Sequence, residues 1–316
     1  MSNRNRNDGG LVKILAPQGG RALRSLGFVL VVGVLGIAGT TAYGPSGLQA
    51  GTSETSMSFL AVDPPGAILS RALGMNEVGD VVGLYRDASG LTHGFLRDRH
   101  GVYSSIDVAG ATFTIAHGIN NLGVVVGRFG EAGTGRVRGF VEADGTFTFI
   151  DYPGSTHIEL EDINERGEIS GKYLDGTNVQ HGVSVMDGVF QTIDVPGANS
   201  TDAQSIGNSG TVVGDIGVPD DTIVRSFTMK DGVFNVFAIP GATATAARFR
   251  SEAGVIVGIV VDGTGEHGFV RDRSGNYRTI DVTGSTKTDI FAGNDTGDFA
   301  GSFVGDGIEH AFLAMK

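Results

Sequence analysis

Ile106-Asp-Val-Ala-Gly-Ala111 recurs as Ile150-Asp-Tyr-Pro-Gly-Ser155, Ile193-Asp-Val-Pro-Gly-Ala198, Phe237-Ala-Ile-Pro-Gly-Ala242 and Ile280-Asp-Val-Thr-Gly-Ser285. An opening copy stands at Val62-Asp-Pro-Pro-Gly-Ala67, and successive copies are 44, 44, 43, 44 and 43 residues apart. A second landmark keeps step with the first. It is a Gly four residues ahead of another Gly, beginning at Gly79, Gly123, Gly167, Gly210, Gly254 and Gly297. Two series in phase mark one structural unit copied along the chain, a signal that outranks local propensity.

Each unit reads as four short strands. The first ends near Met75-Asn76, Ile119-Asn120 or Ile163-Asn164 and turns at the landmark Gly. The second is apolar, as in Asp80-Val-Val-Gly-Leu-Tyr85 and Val124-Val-Val-Gly-Arg-Phe129. The third opens at His93-Gly-Phe95 and its equivalents, and the fourth ends at the Ile-Asp landmark. Between the last two stand Asp144-Gly145, Asp187-Gly188 and Asp231-Gly232, the dipeptide of tight primed hairpin turns. Short strands with regular turn signals predict an all-β fold of four-stranded antiparallel blades set radially.

The chain ends specify the number of blades. The last unit stops after its third strand, at His310–Lys316, and the first is preceded by a lone strand, Ser58-Phe-Leu-Ala-Val-Asp63. Either alone leaves an exposed sheet edge, which invites aggregation. Pairing them completes a sixth blade, so the reading is a six-bladed β-propeller over residues 58–316. An open stack of the same units is the alternative.

The pattern Asn-x-x-Gly-x-x-x-Gly, then His-Gly-Phe, then Ile-Asp-x-Pro-Gly-Ala resembles the bacterial extracellular HAF-repeat family. Its eponymous triplet stands here as His310-Ala311-Phe312. The resemblance spans the repeats and implies export and a propeller-like fold. It implies no particular activity.

Composition agrees with a glycine-punctuated β protein: 52 of 316 residues are Gly, against the usual ~7%. There is no Cys, so disulfides, thiol nucleophiles and thiolate metal sites are excluded. Net charge is −12, although residues 1–50 hold five basic groups against one acid. An acidic body repels phosphate backbones, so no nucleic-acid partner is expected. At the N-terminus, basic residues precede the apolar run Leu26–Ala38 and the small residues Thr40-Thr41-Ala42, the order of a secretory signal peptide. Residues 1–42 are thus read as a signal peptide and 43–57 as a flexible linker; a membrane anchor over 26–43 is the alternative. The mature chain is then secreted, extracellular or periplasmic, and is read as a monomer with no membrane insertion beyond that anchor.

The third strand begins with His93, Arg138, His181, Arg225, His267 or His310. Hairpin arithmetic opposes His93 to Asp107, Arg138 to Asp151, His181 to Asp194 and His267 to Asp281. It sets His310 against Asp63 across the closure. Opposed residues on one face sit about 4.5–5.5 Å apart, and opposite charges there stabilise by roughly 0.2–1 kcal/mol. A His–Asp pair also occurs in hydrolytic triads, but a catalytic constellation is single and this one recurs. Phe95, Phe140, Phe227, Phe269 and Phe312 read as core between blades.

Specificity then falls to positions that break the symmetry. Along the first strands, one position carries Arg71, Ile115, Glu159, Asp202, Ala246 and Asp289. Two residues later stand Leu73, His117, Glu161, Gln204, Arg248 and Phe291. Alternate residues share a face, so the two sets predict rings near the channel mouth, on the face bearing the blade-to-blade connections. The ligand-binding candidates are Arg71, His117, Glu159, Glu161, Asp202, Gln204, Arg248 and Asp289. Of these, Glu159, Glu161, Asp202 and Asp289 carry oxygen donors suited to calcium; no other cofactor is implied. A solvated rim is the alternative.

Three functional classes follow. The first is an exported binding or scaffold module with an unidentified extracellular ligand or protein partner. The second is a hydrolase or lyase that uses His117 and neighbouring carboxylates at the mouth. The third is a glycan-binding propeller, disfavoured by the absence of Trp.

Overall fold

β-Branched and aromatic runs of four to eight residues, interrupted by Gly and Asp turns, fold into six four-stranded antiparallel sheets. The computed structural model describes residues 57–219 and 222–316. The signal-peptide and anchor readings, and all of the linker but Met57, lie outside them. No helix occurs among the described residues.

Blade 1 runs Leu69–Met75, Val81–Arg86, Thr92–Arg97, Tyr103–Ile106 from the axis outward. The innermost strands of blades 2 to 6 are Thr114–Ile119, Ile158–Ile163, Ser200–Ile206, Ala244–Arg250 and Lys287–Gly293. Each touches its two neighbours around the ring. The Asp-Gly hairpins take the primed form: Asp144, Asp187 and Asp231 have φ of 50–51°, and the glycines that follow are also left-handed.

Two circuits close the ring. The first joins the chain ends. Ser58–Ala61 lies antiparallel to the C-terminal strand Ile308–Met315 as the outermost strand of blade 6, with Ser58 opposite Met315 and Ala61 opposite Phe312. Asp63 then acts as a staple. It accepts from the Ala311 N–H at 3.0 Å, lies 2.8 Å from His310 Nδ1 and accepts from the Ser70 hydroxyl.

The second circuit runs around the far end of the axis, through the residue after each landmark Asn or its equivalent. The Glu77 N–H donates to Asn121, Asn121 to Glu165, and Glu165 to Asn208, each at 2.9 Å. Ser209 donates to Glu252 at 3.1 Å, Glu252 to Asp295 at 2.8 Å, and Asp295 returns to Glu77 at 2.9 Å. Every blade is thereby tied to the next by a charge-assisted or amide hydrogen bond.

Between blades the core is apolar. Phe95, Phe140, Phe227, Phe269 and Phe312 are no more than 1% exposed. Phe95 of blade 1 packs with Ala300 and Leu313 of blade 6, so the seam at the closure is built like the others.

Substituting Asp63→Ala is expected to lower unfolding stability by about 1–3 kcal/mol, because it orphans a buried donor at the seam. The same change at Asp107, inside one blade, is expected to cost no more than about 1 kcal/mol. Urea unfolding of both variants reads the difference, and equal losses would deny the seam its special status.

Candidate functional site

The pairing between the first and second strands slips once in every blade, and the skipped residue is Leu73, His117, Glu161, Gln204, Arg248 or Phe291. These six are the second of the two rings set out above. A β-bulge turns the extra side chain away from regular alternation, which re-aims it. The backbone permits this because the second strand carries Gly at the facing position. A Cβ on Gly83, Gly127, Gly171, Gly214, Gly258 or Gly301 would overlap the carbonyl oxygen of the first-ring residue beside it. The repeated landmark Gly is therefore required by close backbone approach, and it sets both rings.

A cavity of about 280 Å³ lies on the axis, toward the face that carries the connections between blades. Arg71, His117, Glu159, Glu161, Gln204 and Arg248 line it, and so do Leu73, Ile115 and Phe291. Two candidates do not. Asp202 stands behind the wall with its carboxylate 2.6 Å from Lys172 Nζ, and Asp289 is buried beside Lys287 at 2.9 Å.

The cavity wall also contains Leu84, Arg128 and Lys172, which the ring alignment passed over. Each immediately follows the second landmark Gly and sits directly opposite a first-ring residue: Leu84 faces Arg71, Arg128 faces Ile115, and Lys172 faces Glu159. The signal was a charged residue inside an otherwise apolar strand, as at Arg128, Lys172 and Asp215.

Electrostatically the wall is a closed set of pairs. Lys172 Nζ lies 3.4 Å from Glu159, 3.2 Å from Glu161 and 2.6 Å from Asp202. Arg128 pairs with Glu159, whose other oxygen is 2.6 Å from His157 Nε2. Arg248 meets Asp215 at 3.0 Å, and Arg71 meets Glu309 at 2.9 Å at the lip. His117 Nδ1 is 2.8 Å from Glu161, while its Nε2 has no hydrogen-bond partner among the described residues.

Burial shifts these groups. It pushes the His117 imidazole down, its Glu161 partner notwithstanding, with Arg128 and Lys172 adding to the effect. The neutral ring then donates from Nδ1 to Glu161 and keeps a lone pair on Nε2. Glu161 is held well below the usual carboxylate range: burial opposes its ionisation, but its contact with His117 and the Lys172 and Arg128 charges outweigh it. Asp215 is pushed up to about 6 by burial, against the pull of Arg248. Asp289 rises to about 6 for the same reason, against Lys287.

Of the four carboxylates considered for calcium, Glu159, Glu161 and Asp202 converge, but on the Lys172 ammonium; Asp289 is elsewhere. The set close enough to share an ion is His117, Glu159 and Glu161, with ligand atoms within 4.8 Å of one another. An ion there competes with Lys172 and Arg128 for the same oxygens.

The cross-strand pairs lie apart from this cavity. Asp107 is 3.0 Å from His93, Asp151 is 2.6 Å from Arg138, Asp194 is 2.9 Å from His181, and Asp281 is 2.8 Å from His267. A second carboxylate, from the end of the second strand, reaches the other nitrogen of all three rings: Asp262 at 3.9 Å from His267, and more closely Asp87 at 3.3 Å from His93 and Asp175 at 3.5 Å from His181. Tyr85 and Tyr173 stack on the His93 and His181 imidazoles.

No protein-family model matches the sequence, nor does any curated protein. Solved propellers match the fold. AofleA from Arthrobotrys oligospora aligns with a TM-score of 0.54 at 13% identity, covering 83% of this chain and 86% of its own. A gluconolactonase from Xanthomonas campestris aligns at 0.50 and 13%, covering 83% and 90%. Aleuria aurantia lectin, solved with Fucα1-6GlcNAc, aligns at 0.50 and 12%, covering 79% and 93%. At such identities the likeness defines the class, a β-propeller, and goes no further.

Asp215 and Asp289 bind protons more tightly folded, near pH 6, than at the ~3.9 of a free Asp. Their contribution to stability is therefore full below about pH 4 and is lost as pH rises through about 6. The change Asp289→Asn is expected to flatten the pH dependence over that window. Urea midpoints at about pH 5 and 7.5 measure it, and an unaltered pH difference would refute the assignment.

Proposed function

We propose that the chain is an exported binding module that holds one small ligand at the propeller axis. The observation that carries this reading is the departure from symmetry around a single cavity. Equivalent positions in six near-identical blades bear Leu73, Ile115 and Phe291 on one side, and Glu159, Glu161 and Arg248 on the other. A frame needs no such difference; a site that orients an asymmetric molecule does. The cavity is a little under the ~300–1,000 Å³ of drug-sized sites, which favours a compact ligand. Export rests on the order of basic, apolar and small residues over 1–42, with an anchor at 26–43 as the alternative, and on the resemblance to the HAF-repeat family.

One feature favours a second reading, hydrolysis or elimination. His117, a residue of the cavity lining oriented by Glu161 at 2.8 Å and without a hydrogen-bond partner at Nε2 among the described residues, has the makings of a general base.

A thermal-shift screen of small metabolites tests the first reading. Hits are expected to be lost in Leu73→Trp, which projects an indole into the cavity, while circular dichroism stays unchanged. Hits that survive Leu73→Trp would place binding elsewhere. Turnover of ester, lactone and glycoside substrates tests the second. Activity lost about 10²-fold or more in His117→Ala would support it, and no turnover on any of them would remove it.

A further inference from the structure

The geometry points to a neutral polyhydroxylated ligand, a single sugar ring, as the occupant of the axial cavity. This inference rests on the reading of that cavity as a ligand site and names its chemistry.

Charge provides the first argument. Each ionised group on the wall already has its counter-charge at contact: Lys172 among Glu159, Glu161 and Asp202, Arg248 on Asp215, and Arg71 on Glu309. An ionic ligand must break one of these pairs and leave its partner unmatched in a buried setting, which is strongly unfavourable. A neutral ligand hydrogen-bonds to the same groups and leaves the pairs intact.

Hydrogen-bond supply is the second. The polar residues of the lining offer both functions: the guanidinium N–H groups of Arg71 and Arg248 donate, the carboxylates of Glu159 and Glu161 accept, and the Gln204 amide does both. Such a lining matches hydroxyl groups, which also donate and accept. A carboxylate offers acceptors only and an ammonium donors only.

Shape is the third. Phe291, Leu73, Leu84 and Ile115, from blades 6, 1 and 2, add apolar surface to the same lining. A pyranose combines the two kinds of surface, with hydroxyls at its edge and C–H bonds on its face, and an aromatic ring such as Phe291 offers a flat apolar platform for that face. Phe291 thus takes the place of the absent Trp.

Isothermal titration of the intact chain tests the inference. The panel comprises neutral hexoses, pentoses and alditols, the corresponding uronates, and free amino acids. One neutral sugar is expected to bind saturably, with its uronate weaker by about tenfold or more. Phe291→Ala and Arg248→Ala are each expected to weaken it by about tenfold. Tight binding of a uronate or an amino acid, lost in Leu73→Trp, would overturn the sugar assignment and leave the cavity as the ligand site. No binding across the panel, or binding untouched by both Leu73→Trp and Phe291→Ala, would overturn both.

Discussion

A ring of blades has no free edge only if its ends meet, and here the meeting depends on Asp63. One carboxylate engages Ala311, His310 and Ser70, so it joins the first described strand to the last and both to the innermost strand of blade 1. The strand beside it, Ser58–Ala61, covers the open edge of Ile308–Met315. An uncovered edge would offer unpaired backbone groups to other chains. The Glu77–Asp295 link completes the second circuit at the same seam, so the closure is made at two radii and at two levels of the fold.

Closure matters to the site because the cavity has no wall of its own. It is bounded by the innermost strands of six blades and by Leu84, Arg128 and Lys172 of the second strands. Within each blade these two strands are drawn together at the second landmark Gly, where even one added carbon would strike the first strand's carbonyl oxygen. Close approach in turn forces a bulge in each first strand, and each bulge delivers one side chain to the axis. A device repeated six times for architecture thus presents six positions for chemistry.

Those positions are used unequally. Blades 2 to 5 contribute a buried network of carboxylates and cations centred on Lys172, while blades 1 and 6 contribute Leu73, Leu84 and Phe291. A buried ion network of this kind is weak support for stability, since desolvation offsets most of its Coulombic gain. Its value lies in holding polar atoms in fixed places. The His–Asp pairs farther out are the opposite case: they recur in blade after blade and serve the frame.

The sequence by itself determined the architecture. Repeats of 43 and 44 residues, the Asp-Gly hairpins and the two half-units at 58–63 and 310–316 were enough for six blades and their closure, because periodicity and edge pairing are properties of residue order. It also reached nine of the cavity's twelve lining residues, six of them as ligand candidates, since two positions per blade could be aligned. Arg128 and Lys172 were legible only as charges inside apolar strands, and Asp202 and Asp289 were drawn into the rim although they lie behind it. Only the tertiary structure decided these points. Which side chains share a cavity depends on the bulge, on the close approach allowed by glycine and on which buried charge finds which partner. The first two are set by the fit of paired strands within a blade, and the third by contacts between blades that are neighbours in space but lie far apart in the chain.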